Sequence, residues 1–86
     1  MTDCLFCSIV SGDVPADVVA ENDQALAFRD ISPQAPTHVL VIPRVHQPDI
    51  GSLVEADPDA AAGVLTLAKQ VADAVGGSYR LVFNTG

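Results

Sequence analysis

Along this chain the spacing of apolar residues changes register, and each change marks an element. Cys4 to Val10 forms a short, largely apolar segment that Asp3 can cap as a helical turn and that Ser11-Gly12 ends. Val18 to Glu21 and Ala25 to Arg29 are two short strand-like runs separated by Asn22-Asp23, the signature of a β-hairpin. Ile31 to Thr37 holds Pro33 and Pro36 and reads as a loop. After it, His38 to Ile42 is β-branched, apolar and closed by Pro43, so it is expected to be a central strand.

Helical spacing replaces strand spacing beyond this point. Asp57 is a good N-cap and Pro58 suits the first helical position. Ala61, Val64, Leu65, Ala68, Val71, Ala72 and Val75 then recur at three- and four-residue intervals until Gly76-Gly77. Asp57 and Asp59 place negative charge at the positive end of that helix. Arg80 to Asn84 reads as a further strand.

Composition narrows the picture to one small domain. The chain has 86 residues, 49% of them hydrophobic and 17% charged, which is globular rather than disordered usage. A core of this size buries about 60% of the unfolded chain's surface. The longest apolar runs, Cys4 to Cys7, Ala25 to Phe28 and Val39 to Ile42, are four residues each, against the roughly 18 needed to span a bilayer. Asp3 stands where a signal peptide carries a basic residue, so no membrane association and a cytoplasmic location are expected. With a net charge of −7 and Arg29, Arg44, Lys69 and Arg80 scattered, the chain offers nothing to a nucleic-acid backbone.

Three residue groups could carry chemistry. The carboxylate of Asp30, between Phe28 and Ile31, can accept two hydrogen bonds and suits a vicinal diol; it equally suits capping of the Ile31-Ser32-Pro33 turn. Asn84, after Leu81-Val82-Phe83, can offer an amide to a phosphoryl oxygen or serve as a turn residue. Cys4 and Cys7 have the Cys-x-x-Cys spacing of a metal or redox pair, or pack as small reduced hydrophobes. A redox pair of the thioredoxin kind wants a strand before the first cysteine, and none precedes Cys4. Gly76-Gly77 is a helix stop and not a phosphate loop.

Phe28-Arg29-Asp30-Ile31-Ser32-Pro33-Gln34-Ala35-Pro36-Thr37-His38-Val39-Leu40-Val41-Ile42-Pro43, together with Leu81-Val82-Phe83-Asn84-Thr85-Gly86, resembles the histidine-triad (HIT) superfamily, in its Hint-like branch of nucleotide-binding hydrolases. The resemblance covers Cys4 to Gly86. It implies an α+β fold: an antiparallel sheet with one long helix across it, built as a single domain over residues 1–86 that is C-terminally incomplete, its final strand absent. That strand would carry His-x-His-x-His, whose middle histidine attacks the α-phosphorus of a nucleotide in the complete family to give a nucleotidyl-histidine.

What the resemblance implies for the site can be given residue by residue. Asp30 would bind the ribose hydroxyls, Val19, Phe28, Ile31 and Leu40 would line a slot for a purine base, and Asn84 would approach the phosphate. His38 corresponds to a position near the active site that is not the nucleophile, and a hydrogen-bonded sheet residue is its plainer reading. His46 corresponds to a ligand that joins Cys4 and Cys7 on a structural zinc ion in zinc-containing relatives. The fourth ligand there is a triad histidine, which water, Asp3 or a neighbouring molecule would have to replace.

The implied partner is a purine nucleotide or nucleoside monophosphate derivative. The implied assembly is a homodimer, and the implied chemistry is hydrolysis of phosphoramidates without a catalytic metal. The alternative is a non-catalytic relative that binds nucleotide or dimerises without turnover, because no catalytic histidine of the triad is among these residues. Whether the chain is an enzyme stays open at this level.

Overall fold

A computed structural model of the chain describes residues 4–30 and 38–83. The expectations for Asp3, the Ile31 to Thr37 loop and Asn84 lie outside those residues. The described chain forms α1 (Leu5–Ser11), β1 (Val18–Glu21), β2 (Ala25–Arg29), β3 (Val39–Pro43), α2 (Ile50–Ala56) and α3 (Pro58–Val75). The strands make one antiparallel sheet in the order β1-β2-β3. The expected hairpin is present, with Glu21 opposite Leu26 and a register irregularity between Val18 and Ala20.

Asn22 closes that hairpin with its side chain. Its Oδ1 accepts from the N–H groups of both Gln24 and Ala25, each at 2.8 Å, an Asx turn that any hydrocarbon side chain would lose. The same residue ties the hairpin to the rest of the fold. Its Nδ2 donates to the Gly63 carbonyl on α3 at 3.0 Å, and its own carbonyl accepts from Arg44 Nε at 3.0 Å. Gly63 is required there by space: a Cβ at that position would lie 2.3 Å from Gln24 Cβ.

β2 is buried on both faces and is the central strand. Ala25 and Ala27 face α3 and join Leu53, Ala60, Ala61, Val64 and Leu67 in the larger cluster. Leu26 and Phe28 point the other way and pack with Ile42, against Ile9, Val10, Ala16 and Leu40. The central position expected for His38 to Ile42 is therefore corrected. Among the described residues β3 pairs on one side only, and four of its five residues are half-buried. The four-residue apolar run that signals a strand covered on both faces occurs in β2 as well as in β3, so the pattern alone does not rank them.

The helices follow their caps. Asp57 Oδ1 accepts from the Ala60 N–H at 3.1 Å, Pro58 occupies the first turn, and Gly76 ends α3 with a φ of 84°. The buried stripe is Ala60, Ala61, Val64, Leu67 and Ala68, whereas Leu65 and Val75 from the expected face are exposed. Leu67 was the residue to find, since its i+3 step from Val64 and i+7 step from Ala60 put it at the centre of the stripe. α2 has no counterpart in the sequence reading, because Gly51 and Ser52 obscure its spacing. Its signal is the Asp49 cap, whose carboxylate accepts from Ser52 N–H at 2.8 Å, followed by Ile50 and Leu53.

A second correction concerns the strand expected over Arg80 to Asn84. The described part, Arg80 to Phe83, is exposed and in no ladder. Strand-forming side chains do not make a strand until another strand takes up their backbone N–H and C=O groups. No helix among the described residues is long and apolar enough to cross a membrane.

Candidate functional site

α1 begins at a sulfur. Cys4 is its N-cap, in extended conformation, and Cys4 Sγ accepts from the Cys7 N–H at 3.4 Å. The cap puts Cys7 in the first turn, close to its partner, and His46 reaches them from the segment after β3. Cys7 Sγ and His46 Nδ1 are 3.1 Å apart, and one ligand atom from each of the three residues lies within 4.8 Å of the others. The two cysteines are half-buried and the histidine is exposed. The hydrogen bond from the Cys7 N–H, then that from the Cys7 thiol, lower the Cys4 thiol to about 7 from its ordinary 9.0; burial opposes them, and the bond to His46 adds to the lowering. This places two soft sulfur donors, one of them easily ionised, and one imidazole around a common centre.

Asp30 follows the last residue of β2. Its backbone N–H donates to the His38 carbonyl at 3.0 Å, extending the β2–β3 pairing by one step. That register brings the side chains together: Asp30 Oδ2 is 3.0 Å from His38 Nδ1, with Asp30 21% and His38 38% exposed. The contact has the distance of an ion pair without the direction of a hydrogen bond, so it strengthens when the ring is protonated.

The residues expected around a base do not all meet. Phe28 and Leu40 share the α1 side of the sheet, and Phe28 is buried there. Val19 instead lines an open cleft of about 290 Å³ with Ala20, Val39, Val71 and Val75 on the α3 side. The register irregularity beside Val19 accounts for its separation, since a bulge turns a strand residue away from its alternation. Ile31 and Asn84 lie outside the described residues. Phe6, which the sequence reading passed over, completes the α1 side: its ring lies 6.3 Å from that of Phe28, tilted by 52°.

Comparison with known proteins gives the family and the fold. Residues 11–86 match the model of the HIT domain. The chain belongs to the HIT family. A HIT family hydrolase from Legionella pneumophila is similar to it at 49% identity and a TM-score of 0.77, over 86% of this chain and 66% of that one. A histidine triad protein from Clostridium difficile covers the whole chain at 31% identity and a TM-score of 0.88, with 77% of its own length matched. Among proteins compared by sequence, the purine nucleoside phosphoramidase of Escherichia coli strain K12 is 38% identical over 84 residues, which are 94% of this chain and 71% of that protein.

The α+β architecture, an antiparallel sheet with α3 across all three strands, is thus the HIT fold over these residues. Family membership also gives the two histidines a context. His38 is tied to Asp30 and His46 sits against the cysteines, so each is already engaged by a neighbour. Phe6 was passed over in the sequence, and Asn22 was read there as a turn residue only, without its bonds to Gly63 and Arg44. Phe6, beside Leu5 between the two cysteines, gave no signal of its own.

Proposed function

We propose that this chain forms the nucleotide-binding part of a HIT-family hydrolase acting on purine nucleoside phosphoramidates or related nucleoside monophosphate derivatives. The observation that carries the reading is the Asp30 carboxylate, held at the end of the central strand, two residues after Phe28 and 3.0 Å from His38. The 38% identity to the phosphoramidase of Escherichia coli supports the substrate class.

In this reading Asp30 accepts hydrogen bonds from the two ribose hydroxyls, Phe28, Leu40 and Ile31 line the base site without Val19, which lies on the other side of the sheet, and Asn84 steadies the phosphate. His38, when protonated, holds the carboxylate in place. Hydrogen bonds to a charged group contribute about 1.5–3 kcal/mol each, so a ribose held by one carboxylate gains tenfold or more in affinity. Formation of a nucleotidyl-histidine falls to the triad histidine of the family, because His38 and His46 correspond to other positions. Binding without turnover is the alternative for the 86 residues themselves.

Cys4, Cys7 and His46 suit zinc. Their donors are two thiols and an imidazole, a soft set that suits zinc better than a harder ion. Zinc bound there supplies a cross-link and no chemistry on the nucleotide: these three residues would join the start of α1 to the segment after β3. We further propose a cytoplasmic homodimer.

Titration calorimetry with adenosine 5′-monophosphate tests the ribose assignment. Asp30→Asn should weaken binding at least tenfold, and an analogue lacking both ribose hydroxyls should bind wild type and variant alike. Equal affinity of the two proteins for adenosine 5′-monophosphate overturns the assignment. Release of adenosine 5′-monophosphate from an adenosine phosphoramidate, followed with the product of the whole gene, separates hydrolase from binder.

A further inference from the structure

We propose that the cluster of Cys4, Cys7 and His46 controls the nucleotide site: with zinc on it the first turn of α1 is held to the sheet and Phe6 is held on Phe28, so that metal and nucleotide bind with positive cooperativity. The proposal rests on the nucleotide reading and the zinc assignment above, and adds the coupling between them. The three side chains join two parts of the molecule that are held very differently. His46 belongs to the firm part. Arg44, two residues before it, donates from its backbone N–H to the Gln24 carbonyl at 2.9 Å, from Nε to the Asn22 carbonyl at 3.0 Å and from its guanidinium to Glu21 at 2.8 Å. The segment after β3 is thereby fastened to the hairpin.

Cys4 and Cys7 belong to the loose part. α1 has seven residues, none of them buried, and a helix of that length does not persist on its own in water. Its N-cap is a sulfur at 3.4 Å, a weaker acceptor than the carboxylates that cap α2 and α3. Ile9 and Val10, in the second half of the helix, pack against Leu26, Phe28 and Ile42, whereas Leu5 and Phe6 in the first turn are exposed. Apolar burial therefore holds the end of α1, and the contact of Cys7 Sγ with His46 Nδ1 at 3.1 Å ties down its beginning.

Phe6 lies between the two cysteines, so whatever fixes both of them fixes it. Its ring is 6.3 Å from that of Phe28, which is buried and stands two residues before Asp30. Phe6, Cys4, Cys7, His46 and Ile42 border one hollow, and Ile42 packs with Phe28 on its inner side. The ligand cluster and the α1 wall of the base site are thus parts of the same turn. In metal-free protein a nucleotide has to order that turn as it binds; where the cysteines are already tied to His46 through the ion, the turn is ordered beforehand and less conformational entropy is lost on binding. Such coupling is reciprocal, so the factor by which zinc tightens nucleotide binding is also the factor by which nucleotide tightens zinc binding. Phe6 is the positioning residue through which it passes.

Titration calorimetry on the reduced product of the whole gene, with adenosine 5′-monophosphate as the probe, tests the coupling. Zinc-loaded protein should bind about tenfold more tightly than protein stripped of metal. Zinc affinity, read by competition with a chromogenic chelator, should rise by the same factor in saturating nucleotide. Hydrogen exchange should show the amides of α1 protected by zinc and those of α3 unchanged, so that two folded forms are being compared. His46→Ala should bind nucleotide as metal-free wild type does, at zinc concentrations that load the wild type. Phe6→Ala should still take up zinc, and zinc should no longer alter its nucleotide affinity. Equal nucleotide affinity with and without zinc overturns the coupling alone, as does a response to zinc that survives in Phe6→Ala; the nucleotide reading is reported separately by Asp30→Asn. Protection lost from α3 on metal removal also overturns it, by making the ion a staple of the whole fold. Absence of nucleotide binding in both forms overturns the coupling together with the nucleotide reading, and failure to take up zinc overturns it together with the zinc assignment.

Discussion

On one face of β2, Ala25 and Ala27 disappear entirely beneath α3, a helix of 18 residues with five of them buried. On the other, Leu26 and Phe28 lie under α1, a helix of seven residues with none of its own buried. The first face is held by apolar area and close approach, at about 25 cal/mol for each Å² removed from water. The second is held by less area, with a tie from His46 to the start of its helix. Seven residues are too few for a helix to persist by itself in water, so α1 depends on what it docks against. The face that supplies stability and the face that carries candidate chemistry are therefore different, and perturbations should separate them.

The largest effect belongs to the α3 face. Leu67 is 1% exposed, and the helix and sheet close around it. Leu67→Ala should destabilise the whole domain by about 2–5 kcal/mol, through lost burial and an unfilled cavity. A chemical denaturation midpoint measures it, with both helices lost together. A loss below 1 kcal/mol would mean that α3 does not organise the core.

Gly63→Ala probes the same face by crowding instead of emptying it. The added methyl would meet Gln24 Cβ at 2.3 Å, at the point where the Asn22 amide reaches the Gly63 carbonyl. Alanine favours helix more than glycine by about 1 kcal/mol, so a surface glycine would stabilise on this change. Overpacking costs about 1–3 kcal/mol and should win here. The midpoint should fall; a rise would show that the hairpin and α3 separate easily.

The α1 face should respond less. Phe6 is 44% exposed, and its ring contact with Phe28 is one tilted pair. Such a pair is worth about 0.5–1.5 kcal/mol beyond its area. Phe6→Ala should therefore lower global stability modestly while hydrogen exchange in α1 quickens far more than in α3. Equal acceleration in the two helices would merge the two faces into one cooperative unit.

How much of this was legible follows the same division. α3 declared itself because Asp57, Pro58 and Gly76 punctuate a run of 18 residues, long enough for period and caps to agree. The hairpin declared itself through Asn22 between two short strands. Which strand sits in the middle did not, because β2 and β3 carry apolar runs of equal length and burial depends on neighbours that arrive from elsewhere. The meeting of Cys4, Cys7 and His46 was expected from family resemblance and is reproduced in space. Spacing alone could not have joined residues 39 positions apart. Val19 shows the converse: family resemblance set it beside Phe28, and it lies on the other side of the sheet, next to a local irregularity.

The smallest effect is one of pH, and it belongs to the α1 face. In reduced, metal-free protein the Cys4 thiol ionises near 7, chiefly because the Cys7 N–H points at its sulfur. Its ordinary value is 9.0, so the folded state favours the thiolate. A group whose value is depressed on folding stabilises above its unfolded value and loses that contribution as pH falls through its folded one. The docking of α1 should thus tighten as pH rises from 7 to 9 and gain nothing below 7, with α3 indifferent throughout. Alkylation of Cys4 by iodoacetamide, followed against pH, should show its midpoint near 7, and exchange protection in α1 should rise over the same window. A midpoint near 9 would mean that the first turn of α1 does not close on the Cys4 sulfur, and the sulfur cap would then have no part in holding this face.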